Sequence, residues 1–343
     1  MYRFTDDYSE GAHPRILQAL LDTNLQQTEG YGNDPFCLEA AEMIKGRLGR
    51  NDVDVHFIPG GTQTNTIAIS AFLRPHEAAV APETGHIEVH ETGAIEATGH
   101  KVVTVPGWEG KLRPQDLQAV LDFHQDEHMV KPKLVYISNV TELGSIYTNE
   151  ELTNLSRFCR EHGLILYMDG ARLGSALASS GSDLTLPELA DLVDAFYIGG
   201  TKNGALIGEA LVICSENLKE EFRFHIKQKG AMLAKGRILG LQFRELFRDD
   251  LFFELAAHAN KMAAKIQDAL GSLGCRFILN SRSNMIFPIL PNQIIAELRK
   301  DFQFHTWQKV DAEHSAVRLV TSWACPEEVV DQFITRLREL FTK

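Results

Sequence analysis

The sequence is short of basic residues. Its 34 Lys and Arg face 46 Asp and Glu, a formal net charge of −12 at pH 7. A phosphate backbone is bound by clustered cations, so this deficit argues against a nucleic-acid surface. No apolar stretch approaches the roughly 20 residues that a membrane-spanning helix needs. No apolar segment follows a basic start, so no signal peptide is expected. The five cysteines (Cys37, Cys159, Cys214, Cys275 and Cys325) are scattered and form no CxxC pair. Such a set suits buried free thiols in a reducing compartment, with the cytoplasm as the expected location. Also missing are the glycine spacings of a dinucleotide fingerprint or a Walker loop, and the HExxH order of a zinc helix. There are no internal repeats and no low-complexity segments.

What is present is an ordinary globular composition, 44% hydrophobic and 23% charged over 343 residues, long enough for two domains. Strand and helix patterns alternate from about 50 to 215. That alternation predicts an α/β fold whose mostly parallel sheet carries helices on both faces. Beyond 215 the composition changes. A long helix over 252–273 reads as a bridge to a small α+β unit with strands at 276–279, 285–289 and 317–322 and helices at 293–300 and 327–341. The expected division is a large α/β domain over 1–248 and a small C-terminal α+β domain over 249–343.

The chemistry concentrates between Leu164 and Lys202. The run Leu164-Ile165-Leu166-Tyr167-Met168 reads as a buried strand ending on Asp169-Gly170-Ala171-Arg172. A helix follows, and then the strand Ala195-Phe196-Tyr197-Ile198 runs into Gly199-Gly200-Thr201-Lys202. An acid and a lysine therefore stand at the ends of two buried strands, where an open parallel sheet places its ligand crevice. Pyridoxal phosphate chemistry needs this pair: a lysine for the Schiff base and a carboxylate for the pyridinium nitrogen.

Other stretches fit the same idea. Pro59-Gly60-Gly61-Thr62-Gln63-Thr64-Asn65 lies between a strand over 53–58 and a helix over 66–73, where backbone N–H groups can approach an anion. His86 and His90 are four apart with carboxylates nearby, but lack the order and third ligand of a zinc site, so no metal is expected. A single ring stacked on a flat cofactor uses His86 better. Thr148 and Glu151 form a capping box for a helix over 150–162. Glu29-Gly30-Tyr31-Gly32-Asn33-Asp34-Pro35 is irregular, and either a linker or part of a binding site fits it. Arg318 sits within an apolar strand and needs an anionic partner, either a structural carboxylate or a ligand.

Together these segments resemble the threonine aldolase group of the β-eliminating lyase family, pyridoxal phosphate enzymes of fold type I. The resemblance runs nearly end to end. It rests on Tyr31-Gly32-Asn33-Asp34-Pro35, Gly61-Thr62-Gln63-Thr64-Asn65, the segment from His86 to Gly93, Asp169-Gly170-Ala171-Arg172, Thr201-Lys202 and Val317-Arg318-Leu319-Val320-Thr321. It implies a transferase-like large domain, pyridoxal 5′-phosphate as cofactor, and an aldolase that releases glycine and an aldehyde from a β-hydroxy-α-amino acid. Another reaction at Cα, such as β-elimination, is the alternative.

By the same resemblance Lys202 carries the Schiff base, Asp169 pairs with the ring nitrogen, Ala171 packs beneath the ring and His86 stacks on it. Gly61 and Thr62 hold the phosphate, and Arg172 and Arg318 bind the substrate carboxylate. Tyr31, on the substrate side, and Asp34 sit near the active site and reach a neighbouring subunit's site in a homodimer or homotetramer, and, more loosely, Lys235 reaches a neighbour's cofactor phosphate. Phe4-Thr5-Asp6-Asp7-Tyr8 stands where the group usually has Arg-Ser-Asp-Thr, which puts Asp6 near the substrate. The group's usual Thr-His pair after the middle strand appears here as Thr141-Glu142. That histidine is associated with the substrate hydroxyl, so Glu142 joins His86 as a candidate base, with a salt-bridge role equally open to it.

Overall fold

The computed structural model describes residues 1–342. Along the chain, β1 (Tyr2–Arg3) is followed by α1 (Pro14–Thr23) and α2 (Pro35–Leu48). Strand and helix then alternate through β2 (Asp54–Ile58), α3 (Gly61–Phe72), β3 (Glu77–Pro82), α4 (His86–Val89), β4 (Val102–Val105), α5 (Pro114–Phe123), β5 (Lys131–Ser138), α6 (Asn149–Glu161) and β6 (Ile165–Asp169). Helices α7 (Leu173–Leu177) and α8 (Leu186–Leu192) lead to β7 (Ala195–Gly199) and β8 (Glu209–Ile213). Next come α9 (Phe222–Gln228), α10 (Arg237–Phe247) and α11 (Leu251–Ser272). The remainder is β9 (Arg276–Phe277), β10 (Met285–Ile286), β11 (Pro288–Pro291), α12 (Asn292–Leu298), β12 (Phe302–Gln303), β13 (His305–Lys309), β14 (His314–Val320) and α13 (Glu327–Thr342).

Seven strands form the central sheet in the order β2-β8-β7-β6-β5-β3-β4. Only β8 runs against its neighbours, β2 and β7; the other ladders are parallel, as the alternation predicts. Every residue of β6, β7 and β8 is buried. Their continuous apolar runs have no polar face because helices cover the sheet on both sides. Helix α6 shows how the covering is fixed. Thr148 Oγ1 accepts from the Glu151 N–H at 3.2 Å, and the Glu151 carboxylate accepts from the Thr148 N–H at 2.9 Å. Losing such a cap costs about 1 kcal/mol. The helix then buries Leu152, Leu155, Ser156 and Cys159 on one stripe.

The C-terminal unit is an antiparallel sheet of β10, β14, β11 and β9 with β13 on the edge of β14. The strand expected over 285–289 is broken at Phe287 into β10 and β11, both paired with β14. The expectation misses β13 because its side chains are largely exposed and carry no apolar alternation. The first residues cross the expected domain division. Tyr2 and Arg3 pair with Phe302 and Gln303, and Phe4 packs in one core with Met262, Phe302 and Phe333.

Candidate active site

Strands β3, β5, β6 and β7 run parallel, so Pro82, Ser138, Asp169 and Gly199 end along one edge of the sheet. Beyond that edge lies a cavity of about 510 Å³, whose far wall includes Trp307 and Arg318 of the small unit. It brings together Gly61, Thr62, His86, Glu142, Asp169, Arg172, Lys202 and Arg318. Tyr31, Lys235 and Asp6 are not in its wall.

Asp169 is the last residue of β6 and only 4% exposed. Its Oδ2 accepts from Tyr136 at 2.7 Å and Asn65 at 2.9 Å, and its Oδ1 from Tyr197 at 2.5 Å and the Ala171 N–H at 3.0 Å. Burial alone would raise its pKa. The electrostatic pull of His86 and these hydrogen bonds outweigh burial and hold the group below the usual carboxylate range. The turn after it has to be glycine, since a Cβ on Gly170 would lie 1.8 Å from the Tyr197 carbonyl oxygen.

Lys202 follows β7. Burial lowers its pKa, Arg172 lowers it further, and Asp7, Asp169 and Glu209 oppose the shift. A lysine so depressed spends more time as the free, nucleophilic amine. Facing it, α3 starts at Gly61, five residues ahead of the expected 66. The glycine turn is thus itself the first turn of the helix, held by the Thr64 hydroxyl and N–H, both donating to the Gly60 carbonyl at 2.9 Å. Gly60 offers no capping side chain. The first-turn N–H groups are left for an anion, which the helix dipole also favours.

His86 opens α4, and its Nδ1 pairs with Glu91 Oε1 at 2.8 Å. Asn65 Nδ2 joins the same Glu91 oxygen at 2.8 Å, so one amide ties the histidine's acid to Asp169. Glu142 Oε1 accepts from the Ser138 hydroxyl at 2.7 Å and from the His86 N–H at 3.1 Å. Its Oε2 is enclosed and has no partner. Burial raises the Glu142 pKa; the Ser138 hydrogen bond opposes this, and the charge of Asp169 adds to it.

The two arginines differ. Arg172 is committed to Asp7, donating Nε to Oδ2 at 2.7 Å and Nη2 to Oδ1 at 3.0 Å. Arg318 donates Nη2 to the Thr5 carbonyl at 3.1 Å, while its Nε is enclosed without a partner.

Comparison with known proteins decides the lineage. The family described as beta-eliminating lyase matches residues 4–290. The chain belongs to the beta-eliminating lyase family. A low specificity L-threonine aldolase of a Pseudomonas strain is 30% identical over 344 residues, covering 99% of this chain and 98% of that one. The solved Leishmania major threonine aldolase is 52% identical, covers 99% of this chain and 100% of that chain, and superposes with a TM-score of 0.98. A histidinol-phosphate aminotransferase of Clostridium acetobutylicum, 14% identical over 100% of this chain and 99% of that one, shares the fold with a TM-score of 0.76. The fold is type I.

With the family comes pyridoxal 5′-phosphate, and the site of this beta-eliminating lyase relative fits it. An uncapped helix start, a depressed lysine, an ionised acid at the strand end and an imidazole share one cavity. These are partners for a phosphate, an aldehyde, a ring nitrogen and a ring face respectively.

Outside the cavity, Asp6 accepts from the Thr5 and Ser9 hydroxyls and the Tyr8 N–H, a local turn. Its neighbour Asp7, 1% exposed, is the one turned inward. Asp34 caps α2, accepting from the Cys37 N–H at 3.0 Å. Tyr31 and Lys235 are exposed and close to each other along the chain surface, since the Tyr31 N–H donates to the Ala234 carbonyl at 3.2 Å. The sequence reading leaves Glu91, Glu209, Asp7, Tyr136 and Tyr197 without a role. Glu209 had a visible signal, a charge at the head of the apolar run Ala210-Leu211-Val212-Ile213. The tyrosines had none, because their strands read as plain core.

Proposed function

We propose that the chain is a retro-aldol lyase that cleaves a β-hydroxy-α-amino acid, of the threonine or allo-threonine kind, to glycine and an aldehyde. Its relatives named as threonine aldolases support this. The observation that carries it is Glu142 in the cavity wall, with one carboxylate oxygen left without a partner.

When bound, pyridoxal phosphate supplies an electron sink conjugated to the substrate's Cα. Lys202 would hold it, Asp169 would face its ring nitrogen, His86 its ring, and the start of α3 its phosphate. Arg318 binds the substrate carboxylate through its remaining guanidinium N–H groups, a grip that fixes which Cα bond is weakened. Glu142 Oε2 takes the β-hydroxyl proton. The carbonyl of the aldehyde forms, the Cα–Cβ bond breaks, and Cα then collects a proton to give glycine. The raised pKa of Glu142 makes its carboxylate a stronger base. A Glu142 that keeps its proton would instead protonate a leaving hydroxyl, and β-elimination is the second reading. A panel of β-hydroxy amino acids assayed for glycine tests the choice; 2-oxo acids without glycine would reject the aldolase.

The exposed Tyr31 and Lys235 belong, on this reading, to a homodimer or homotetramer in which each reaches a neighbour's cavity. Leu21, Leu25 and Leu38, on the elements flanking Tyr31, are 71%, 92% and 59% exposed, an apolar surface that a second copy would cover. The five thiols are free and no helix is long and apolar enough to cross a membrane. The cytoplasm is the proposed location.

A further inference from the structure

A buried carboxylate that the proposed reaction does not use stands beside the lysine. Glu209, the first residue of β8, is 5% exposed and lines the same cavity as Lys202. Its Oε2 accepts from the Gly200 N–H and its Oε1 from the Thr201 hydroxyl, both at 2.9 Å. Both donors belong to the two residues that precede Lys202. The antiparallel direction of β8 makes this possible, because it pairs Glu209 with Gly199 at the end of β7. The turn is cross-tied a second time: the Gly200 N–H also donates to the Gly208 carbonyl at 3.1 Å, and the Gly208 N–H to the Thr201 hydroxyl at 3.1 Å.

We propose that Glu209 is a positioning residue for Lys202: it clamps the turn that carries the lysine and supplies part of the negative charge that acts on the lysine's affinity for its proton. The inference rests on the cofactor assignment above and not on which Cα bond is cleaved.

Its ties to Gly200 and Thr201 single out Glu209 among the charges around the lysine. Lys202 faces Arg172, Asp7, Asp169 and Glu209, and its Nζ lies 6.0 Å from the Tyr8 ring. Arg172 and Asp7 form a closed ion pair and largely cancel. Asp169 is assigned to the cofactor's ring nitrogen. Glu209 is the facing carboxylate that is also tied to the lysine's own turn. It faces Lys202 and Asp169, and Tyr167 and Tyr197 feel its charge. Burial pushes its own pKa up to about 7, against the pull of the Thr201 and Gly200 hydrogen bonds and of Lys202. Its charge therefore changes near neutral pH. Above that value it raises the proton affinity of Lys202, and below it the effect fades.

The test uses the cofactor-loaded enzyme. The visible absorbance of the lysine-bound cofactor is titrated with pH in wild type, E209Q, E209D and T201V. Loss of a facing negative charge lowers the lysine's proton affinity, so the midpoint in E209Q is expected to fall. E209D restores most of it. T201V, which leaves the carboxylate but removes one of its anchoring donors, moves the midpoint the same way by less. A merely structural role would weaken loading without moving the midpoint. An E209Q that stays loaded and titrates as wild type does overturns the inference. Should E209Q not fold, an unmoved midpoint in T201V overturns it instead. Wild type that takes up no cofactor would reject the cofactor assignment itself, a different result from a loaded enzyme whose midpoint ignores Glu209.

Discussion

The backbone N–H of His86 donates to Glu142 Oε1 over 3.1 Å. The residue assigned to the cofactor's ring face and the acid assigned to the substrate hydroxyl are therefore joined directly. Ser138 holds the same Glu142 oxygen at 2.7 Å, which leaves Oε2 without a partner.

Replacing Glu142 with Gln keeps the shape and removes the base. General-base help is worth about 10²–10⁴ in rate, so E142Q should lose that much kcat with little change in KM. The pH profile should change as well. Wild-type activity is expected to fall as pH drops through the raised Glu142 pKa, because only the ionised form accepts a proton. In E142Q that acid limb disappears. An unchanged limb would assign it to another group.

Arg318 should act on binding. Hydrogen bonds to charged groups contribute about 1.5–3 kcal/mol, so R318A is expected to lower kcat/KM by about one to two powers of ten. R318K should recover little of this, since an ammonium cannot reproduce a planar two-point grip. Steady-state kinetics on threonine and allo-threonine check both variants.

The Arg172–Asp7 pair makes a stability prediction. Removing one partner of a buried pair costs about 3–5 kcal/mol, and D7N should show a loss of that size in urea unfolding at neutral pH. Burial alone would raise the Asp7 pKa, but Arg172 and then Lys202 hold it down. A depressed carboxylate stabilises the fold above its unfolded pKa of about 3.9 and loses that contribution as pH falls through the folded value. Wild type and D7N should therefore converge in stability only in strong acid.

The assembly prediction is independent of chemistry. Sedimentation should give at least a dimer, and charge placed in the exposed apolar surface, as in L21E/L25E, should shift the enzyme toward monomer and lower activity per chain. An active wild-type monomer would remove the proposed role of Tyr31 and Lys235 at a neighbour's site.

The strand–helix alternation was legible because parallel strands buried on both faces read as short apolar runs, and Asp169 and Lys202 stood out as charges at the ends of such runs. The polar web was not legible. Tyr136 and Tyr197 look like core aromatics until their hydroxyls are seen on Asp169. Whether Asp6 or Asp7 turns inward depends on a salt bridge formed across 165 residues of chain. Glu209 reaches the lysine turn through an antiparallel pairing that alternation alone does not predict. Tyr31 and Lys235 could be related to the surface only by the contact between their segments.

The most direct test of the central claim is a product balance. Purified enzyme loaded with pyridoxal phosphate is given allo-threonine, and glycine, acetaldehyde, 2-oxobutyrate and ammonia are quantified together. Retro-aldol cleavage predicts glycine and acetaldehyde in equal amounts, with neither of the other two. Equal 2-oxobutyrate and ammonia without glycine would contradict it and assign Glu142 to elimination.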